Sequence, residues 1–221
     1  ILDIGGQSTK PGASAITVKE ELNRVIPVVK LLAKEHPTAI ISIDTFQSEV
    51  ANAAINEGAH VINDVSSGTL DSKMLDKVIE LNVPYIASHI NGNPANMQDD
   101  PTYKNVVVEI VKFFSGVKKK LFENGFNDLI VDPGFGFGKT TKQNFELLKN
   151  LDQFTLLNLP ILVGLSRKSM IWKTLESSPE KALNGTTSLN TIALMNGCNL
   201  LRVHDVQEAM ECIALVKKIK S

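Results

Sequence analysis

Cysteine is scarce in this chain: Cys198 and Cys212 are the only two in 221 residues, and neither belongs to a C-x-x-C pair. Two thiols exclude a disulfide framework, and both are read as reduced, structural residues. An excess of one charge is also lacking, with 23 Lys+Arg against 24 Asp+Glu and a net charge of -1. That balance gives no reason to expect nucleic acid or an anionic membrane as the main partner. No apolar run reaches the length of about 18 residues that a membrane span requires. The chain opens on "ILDIGG" without a Met or a charged leader, which reads as no signal peptide and, with the thiols, as a cytoplasmic protein. Metal motifs are missing too: there is no H-E-x-x-H, and the four His are scattered. The absence of a G-x-S-x-G elbow argues against a serine hydrolase.

What is present is a regular alternation. Short runs rich in Ile, Val and Leu recur at 1–4, 39–44, 60–64, 84–89, 129–134, 160–166 and 200–205. Continuous apolar runs suit parallel strands buried on both faces. Amphipathic stretches separate them. In "TVKEELNRVIPVVKLLAKE", Leu22, Val25, Ile26, Val29 and Leu32 form one stripe opposite Lys and Glu. Similar helices are expected at 46–57, 71–82, 102–124, 142–151, 179–196 and 207–219. Gly58, Gly125 and Gly197 stand just past helical patterns, where a left-handed C-cap belongs. No low-complexity linker divides the chain, and 43% hydrophobic content supports a single domain over 1–221. Repeated β–α units leave an open doubly wound sheet or a (β/α)8 barrel. A barrel typically runs to about 250 residues. With seven β/α units visible, the expectation is a TIM (β/α)8 barrel lacking strand 1 and helix 1.

The polar residues fall at the strand ends: Asp44, Asn63 and Asp64, His89, Asp132, Ser166 with Arg167 and Lys168, and Arg202 with His204 and Asp205. Active sites of such barrels are built at the C-terminal ends of the strands. Any single Asp there serves equally well as a helix N-cap. Six polar strand ends converging on one mouth are costly without a ligand. Arg202 and His204, two residues apart, face one side if the strand continues. Two cationic groups aimed at one spot suit an anion, phosphate or diphosphate. The bland alternatives stay open: a core His, a solvated Arg–Lys pair, and flexible turns at Gly5–Gly6 and "NGNPANMQ".

"VDPGFGFGKT", residues 131–140, resembles the end of a P-loop, but Pro133 occupies the position of its first glycine. The stretch is better read as a strand delivering Asp132, followed by glycines that let a loop pass close to a ligand, with Lys139 as a rim or structural charge.

Taken in order, "DIGGQSTKPGA", "SIDT", "INDV", "HINGNPANMQ", "DPGFGFGK", "LVGLSRKSMI" and "RVHDV" resemble the dihydropteroate synthases, from residue 1 to about residue 216. The wider pterin-binding family, with its folate-dependent methyltransferases, shares the barrel, while "GFGFGK", "SRKS" and "RVHDV" favour the synthase. The resemblance implies condensation of (7,8-dihydropterin-6-yl)methyl diphosphate with 4-aminobenzoate in folate biosynthesis, inhibition by sulfonamides, Mg2+ and a homodimer. It implies that Asp44, Asn63, Asp132 and Lys168 line a pterin pocket and that Arg202, His204 and Thr9 hold the diphosphate. Lys10, Pro11, Phe137 and Ser169 would lie on the 4-aminobenzoate side. Asp44, Asp132, Lys168, Arg202 and His204 would carry the catalysis. Lys10 stands where the family usually has Arg, losing the planar fork. The family's Mg2+ ligand is expected in the absent first unit, with no metal ligand in this chain. A methyltransferase domain, or a non-catalytic pterin-binding module, is the alternative.

Overall fold

The structure, a computed structural model, describes residues 1–221 apart from residues 11, 15 and 100. The first half of the chain alternates β1 (Leu2–Gly5), α1 (Val18–Glu35), β2 (Ile41–Asp44), α2 (Ser48–Asn56), β3 (Val61–Asp64), α3 (Met74–Leu81) and β4 (Tyr85–Ser88). Then follow α4 (Val106–Glu123), β5 (Leu129–Asp132), α5 (Thr141–Lys149), β6 (Leu162–Val163), α6 (Ser169–Thr174), α7 (Leu183–Met195), β7 (Leu200–Leu201) and α8 (Val206–Lys220). The seven strands fall inside the seven apolar runs of the sequence, apart from Gly5, which closes β1.

The described residues form two compact units, Ile1–Met97 with Ser115–Ile130 and Gln98–Phe114 with Val131–Ser221. In the first, β1, β2, β3 and β4 pair in parallel and in that order, continuing to β5. Ile41, Ile43, Ile62 and Tyr85 are fully buried, as are Val29 of α1 and Val50 and Ala54 of α2. Thr17 caps α1 by accepting the Glu20 N–H at 3.2 Å. In the second, Val131 bridges Ile161 in parallel, and β6 pairs with β7. Its core holds Phe114 edge-on to Phe154, 6.3 Å between ring centroids. Cys198 and Cys212 are buried and unbridged, and burial pushes the Cys198 thiol up to about 12.

The structure differs from the sequence reading in three places. β6 and β7 are only two residues long, and past them the polar ends are tied by side chains, His204 to Ser166 and Arg167 to Asp205. The six-residue α6 was not expected, since one and a half turns are too few to show a period. Leu151–Leu157 forms a 3-10 helix that extends past the expected end of α5. The glycine caps are as expected, with φ of 108° at Gly58, 83° at Gly125 and 98° at Gly197.

Candidate active site

In the second unit, Asp132 closes β5 and is 7% exposed. It does not cap α5, because Thr140 and Gln143 cap that helix reciprocally. Its Oδ1 instead accepts the Gly134 N–H at 2.8 Å. The loop behind it turns through left-handed glycines, with φ of 72° at Gly134, 81° at Gly136 and 65° at Gly138. Those values add a reason for the glycines, a backbone that side-chain-bearing residues rarely adopt. Of the two readings of Lys139, rim or structural charge, its 2% exposure favours the structural one. Its ammonium donates to the carbonyls of Gly134 at 2.8 Å and Phe137 at 2.9 Å. Asn144 of α5 ties the loop further, accepting from Gly136 N at 2.7 Å and donating to Lys139 O at 3.1 Å.

Lys168 reaches the same loop. Its half-buried ammonium donates to the Phe135 carbonyl and lies 4.7 Å from the centroid of the Phe137 ring. Burial lowers Lys168 to about 8, with the Asp132 charge opposing and Arg202 adding to the fall. Burial also pushes Asp132 above the ordinary carboxylate range, and Lys168 is the largest influence holding it down. Gly164 lies beside both: a Cβ there would stand in ordinary contact, 3.9 Å from Lys168 Nζ and 3.8 Å from Arg202 Cβ. Phe137, Asp132, Lys168 and Arg202 are thus brought together. Ser169 is exposed and opens α6.

Arg202 and His204 lie past β7, both exposed, with the residue between them less so, as alternation requires. Arg202 N still donates to Val163 O at 2.9 Å. The His204 Nδ1 and Ser166 Oγ are hydrogen-bonded at 2.9 Å. Arg167 and Lys168 are not a solvated pair. Arg167, at φ 56°, makes a two-pronged contact with Asp205, Nε to Oδ2 at 3.1 Å and Nη2 to Oδ1 at 2.6 Å. The pair depresses the Asp205 carboxyl, chiefly through its hydrogen bond to Arg167.

In the first unit, Asp44 and Asn63 sit at matching register positions at the ends of β2 and β3. Asp44 does not occupy the N-cap of α2, which falls to Gln47. Asn63 Nδ2 donates to both carboxylate oxygens of Asp3, at 3.3 and 3.2 Å. Asp3 was missed in the sequence, although an Asp inside the apolar "ILDI" is the signal that marks it. Asp64 has a structural role: fully buried, it accepts Ser66 N, Ser66 Oγ and Gly68 N at 2.7 Å each and the Tyr85 hydroxyl at 2.9 Å. Gly5 and Gly6 are packing glycines and no loose turn. A Cβ on Gly5 would lie 3.3 Å from Asp44 Cβ, and one on Gly6 only 2.8 Å from Val25 Cγ1. Thr9 is half-buried and Lys10 exposed, its N–H bonded to Ser8 Oγ at 3.4 Å. Pro11 lies outside the described residues.

The donor set of the second unit is guanidinium, ammonium and imidazole, which suits an anion rather than a divalent cation. Among the described residues, no group of three or more His, Cys, Asp or Glu side chains could hold a metal. These side chains therefore do not fit a protein-held Mg2+. No helix of the described residues is long and apolar enough to cross a membrane.

A parallel α/β fold with a carboxylate–ammonium pair at its strand ends, flanked by groups suited to an anion, defines an enzyme of the strand-end-site class. The family model described as pterin binding enzyme matches residues 1–204. Dihydropteroate synthase of Escherichia coli K12 is 41% identical over 219 residues, 98% of this chain and 77% of that protein. The Yersinia pestis dihydropteroate synthase, solved with a sulfonamide drug, superposes with a TM-score of 0.94 at 38% identity, over 99% of this chain and 79% of that one. The Xanthomonas albilineans enzyme, solved with 4-aminobenzoic acid, gives 0.92 at 39% identity, over 100% of this chain and 79% of that one. The chain belongs to the pterin-binding enzymes and, within them, to the dihydropteroate synthases of folate biosynthesis, with the barrel fold expected from the sequence.

Proposed function

We propose a division of labour among this chain's residues for the synthase reaction, in which a dihydropterin methyl diphosphate and 4-aminobenzoate give dihydropteroate and diphosphate. The observation that carries it is buried Asp132 beside half-buried Lys168, with Arg202 next to them. Asp132 is an acceptor for the donor-rich amino-pyrimidine edge of the pterin, and Lys168 donates to the ring carbonyl side. Arg202 and His204, with Thr9, hold the diphosphate. As the methylene C–O bond breaks, the electron pair leaves with the diphosphate and the pterin-stabilised carbon becomes cationic. The arylamine nitrogen then forms the C–N bond and loses a proton. Groups already aimed at the leaving anion and the ring lower the barrier without reorganising. No step runs through Mg2+, which we assign to the diphosphate oxygens as their counter-ion. Asp44 and Asn63 contribute further pterin contacts. Phe137, Ser169, Lys10 and Pro11 serve 4-aminobenzoate and sulfonamides, compounds whose relevance is supported by the ligands of the Xanthomonas and Yersinia enzymes.

We also propose a cytoplasmic homodimer. Ile192 and Met195 of α7 and Val206, Met210, Leu215 and Ile219 of α8 leave apolar surface exposed, which supports a covered face.

The test is a pair of alanine variants measured with two ligands, together with diphosphate release with and without 4-aminobenzoate. Asp132→Ala should abolish binding of both the hydroxymethyl dihydropterin and its diphosphate. Arg202→Ala should weaken the diphosphate far more than the hydroxymethyl compound. An unchanged pterin Kd in the first variant, or equal losses in the second, would refute the assigned role. Release that ignores the arylamine would favour a different transferase chemistry.

A further inference from the structure

Lys139 is buried at 2% exposure, and the synthase reaction makes no use of it. An ammonium is costly to bury unless paired and hydrogen-bonded. Its bonds are specific. Gly134 stands between two charges: its N–H donates to Asp132 Oδ1 and its carbonyl, in the next peptide group, accepts from Lys139 Nζ, each at 2.8 Å. The ammonium on the carbonyl holds the glycine in place, and with it the N–H that it gives to the carboxylate. The second bond, to Phe137 O at 2.9 Å, fixes the residue whose ring lies under Lys168. The Lys139 carbonyl is itself held by Asn144 at 3.1 Å. Neutral donors could satisfy two carbonyls; the positive charge is explained by the carboxylate it serves.

We propose that Lys139 is a positioning residue for pterin recognition: by holding the backbone of Gly134, and through its own charge, it keeps Asp132 oriented and ionised, as an acceptor for the pterin edge. The proposal rests on the assignment of Asp132 to the pterin. The charged and titratable groups acting on Asp132 are Lys168, Lys139 and Arg202, and the Cys198 thiol feels its charge in turn. Lys139 lowers the Asp132 proton affinity, so its removal raises that affinity. Binding that needs the carboxylate then fails at a higher pH as acid is added.

The experiment is calorimetric titration of the whole chain with hydroxymethyl dihydropterin across the acid and neutral range, for wild type, Lys139→Met, Lys139→Gln, Lys139→Arg and Asp132→Ala. The probe's own titration is common to all. Met and Gln variants should shift the acid limb of affinity upward by about one pH unit, a tenfold weakening on the limb, and should approach wild type on the alkaline side. Arg, which keeps the charge, should hold the limb near its wild-type position. Equal weakening at every pH, with the limb unmoved in Met and Gln, leaves Lys139 a plain cross-link and overturns the proposal. If Lys139→Met does not fold by circular dichroism, Lys139→Gln, which keeps a donor for the loop carbonyls, carries the comparison. Failure of both to fold assigns Lys139 to the fold alone and also overturns it. Pterin binding that survives in Asp132→Ala would instead defeat the underlying site assignment.

Discussion

Replacing Lys168 by methionine should move activity and stability in opposite directions, by amounts that depend on pH. Burial takes the ammonium from its ordinary 10.5 to about 8. At about 1.4 kcal/mol per pH unit this is about 3 kcal/mol against holding the charge in the fold. Solvent at the half-buried group trims the figure to about 2 kcal/mol. That cost is present in full below about pH 8, where Lys168 is charged in both states, and it disappears as pH rises to 10.5. Lys168→Met carries no such cost. At neutral pH the variant should gain about 1 kcal/mol, because Asp132, left without its partner, takes back part of the gain. The gain should shrink toward zero with rising pH. Activity runs the other way. In wild type, kcat/KM for the pterin diphosphate should fall on an alkaline limb near pH 8, about tenfold per pH unit, as the ammonium is lost. Lys168→Arg, charged throughout, should lose that limb. Urea unfolding followed by circular dichroism and initial-rate kinetics at matched pH values check both arms. An alkaline limb that stays in place in Lys168→Arg, or a Lys168→Met chain less stable than wild type at every pH, would defeat the reasoning.

Two further predictions concern structure. Asp64→Asn turns an amide N–H toward donors that now reach a carboxylate from Ser66, Gly68 and Tyr85, and should destabilise the chain by about 3 kcal/mol in urea unfolding; a change below about 0.5 kcal/mol would show that Asp64 does not hold the turn after β3. The apolar exposure on α7 and α8 should make the chain sediment as a dimer, and Met210→Glu with Leu215→Glu should shift it to monomer; a wild-type chain that sediments as a monomer at micromolar concentration contradicts the assembly.

The strands were legible because burial on both faces writes itself as unbroken Ile, Val and Leu. Asp132 and Lys168 could be placed at strand ends by the same runs, although each had a plain structural alternative until the structure brought them together. What escaped was pairing across distance in sequence. Nothing near Arg167 announces Asp205, thirty-eight residues on, or that the two would meet in a fork. Lys139 beside three glycines read as a rim or a structural charge alike, because sequence shows the charge and hides the carbonyls that curl around it. Asp3 was overlooked for the opposite reason: its partner Asn63 was noted, but the bond between them exists only once β1 and β3 flank β2.

Asn63 and Asp64 are neighbours on one strand and point to opposite faces. One meets Asp3, and the other is enclosed by four donors. A slip of β3 by a single residue against β2 would exchange them, presenting an amide to donors that need a carboxylate and a second carboxylate to Asp3. An apolar strand such as Val61–Ile62 alone would tolerate that slip with little protest, since either residue fills the core. The adjacent polar pair makes the misaligned sheet electrostatically untenable, so the residues that prepare the site also choose the alignment of the strand that carries it.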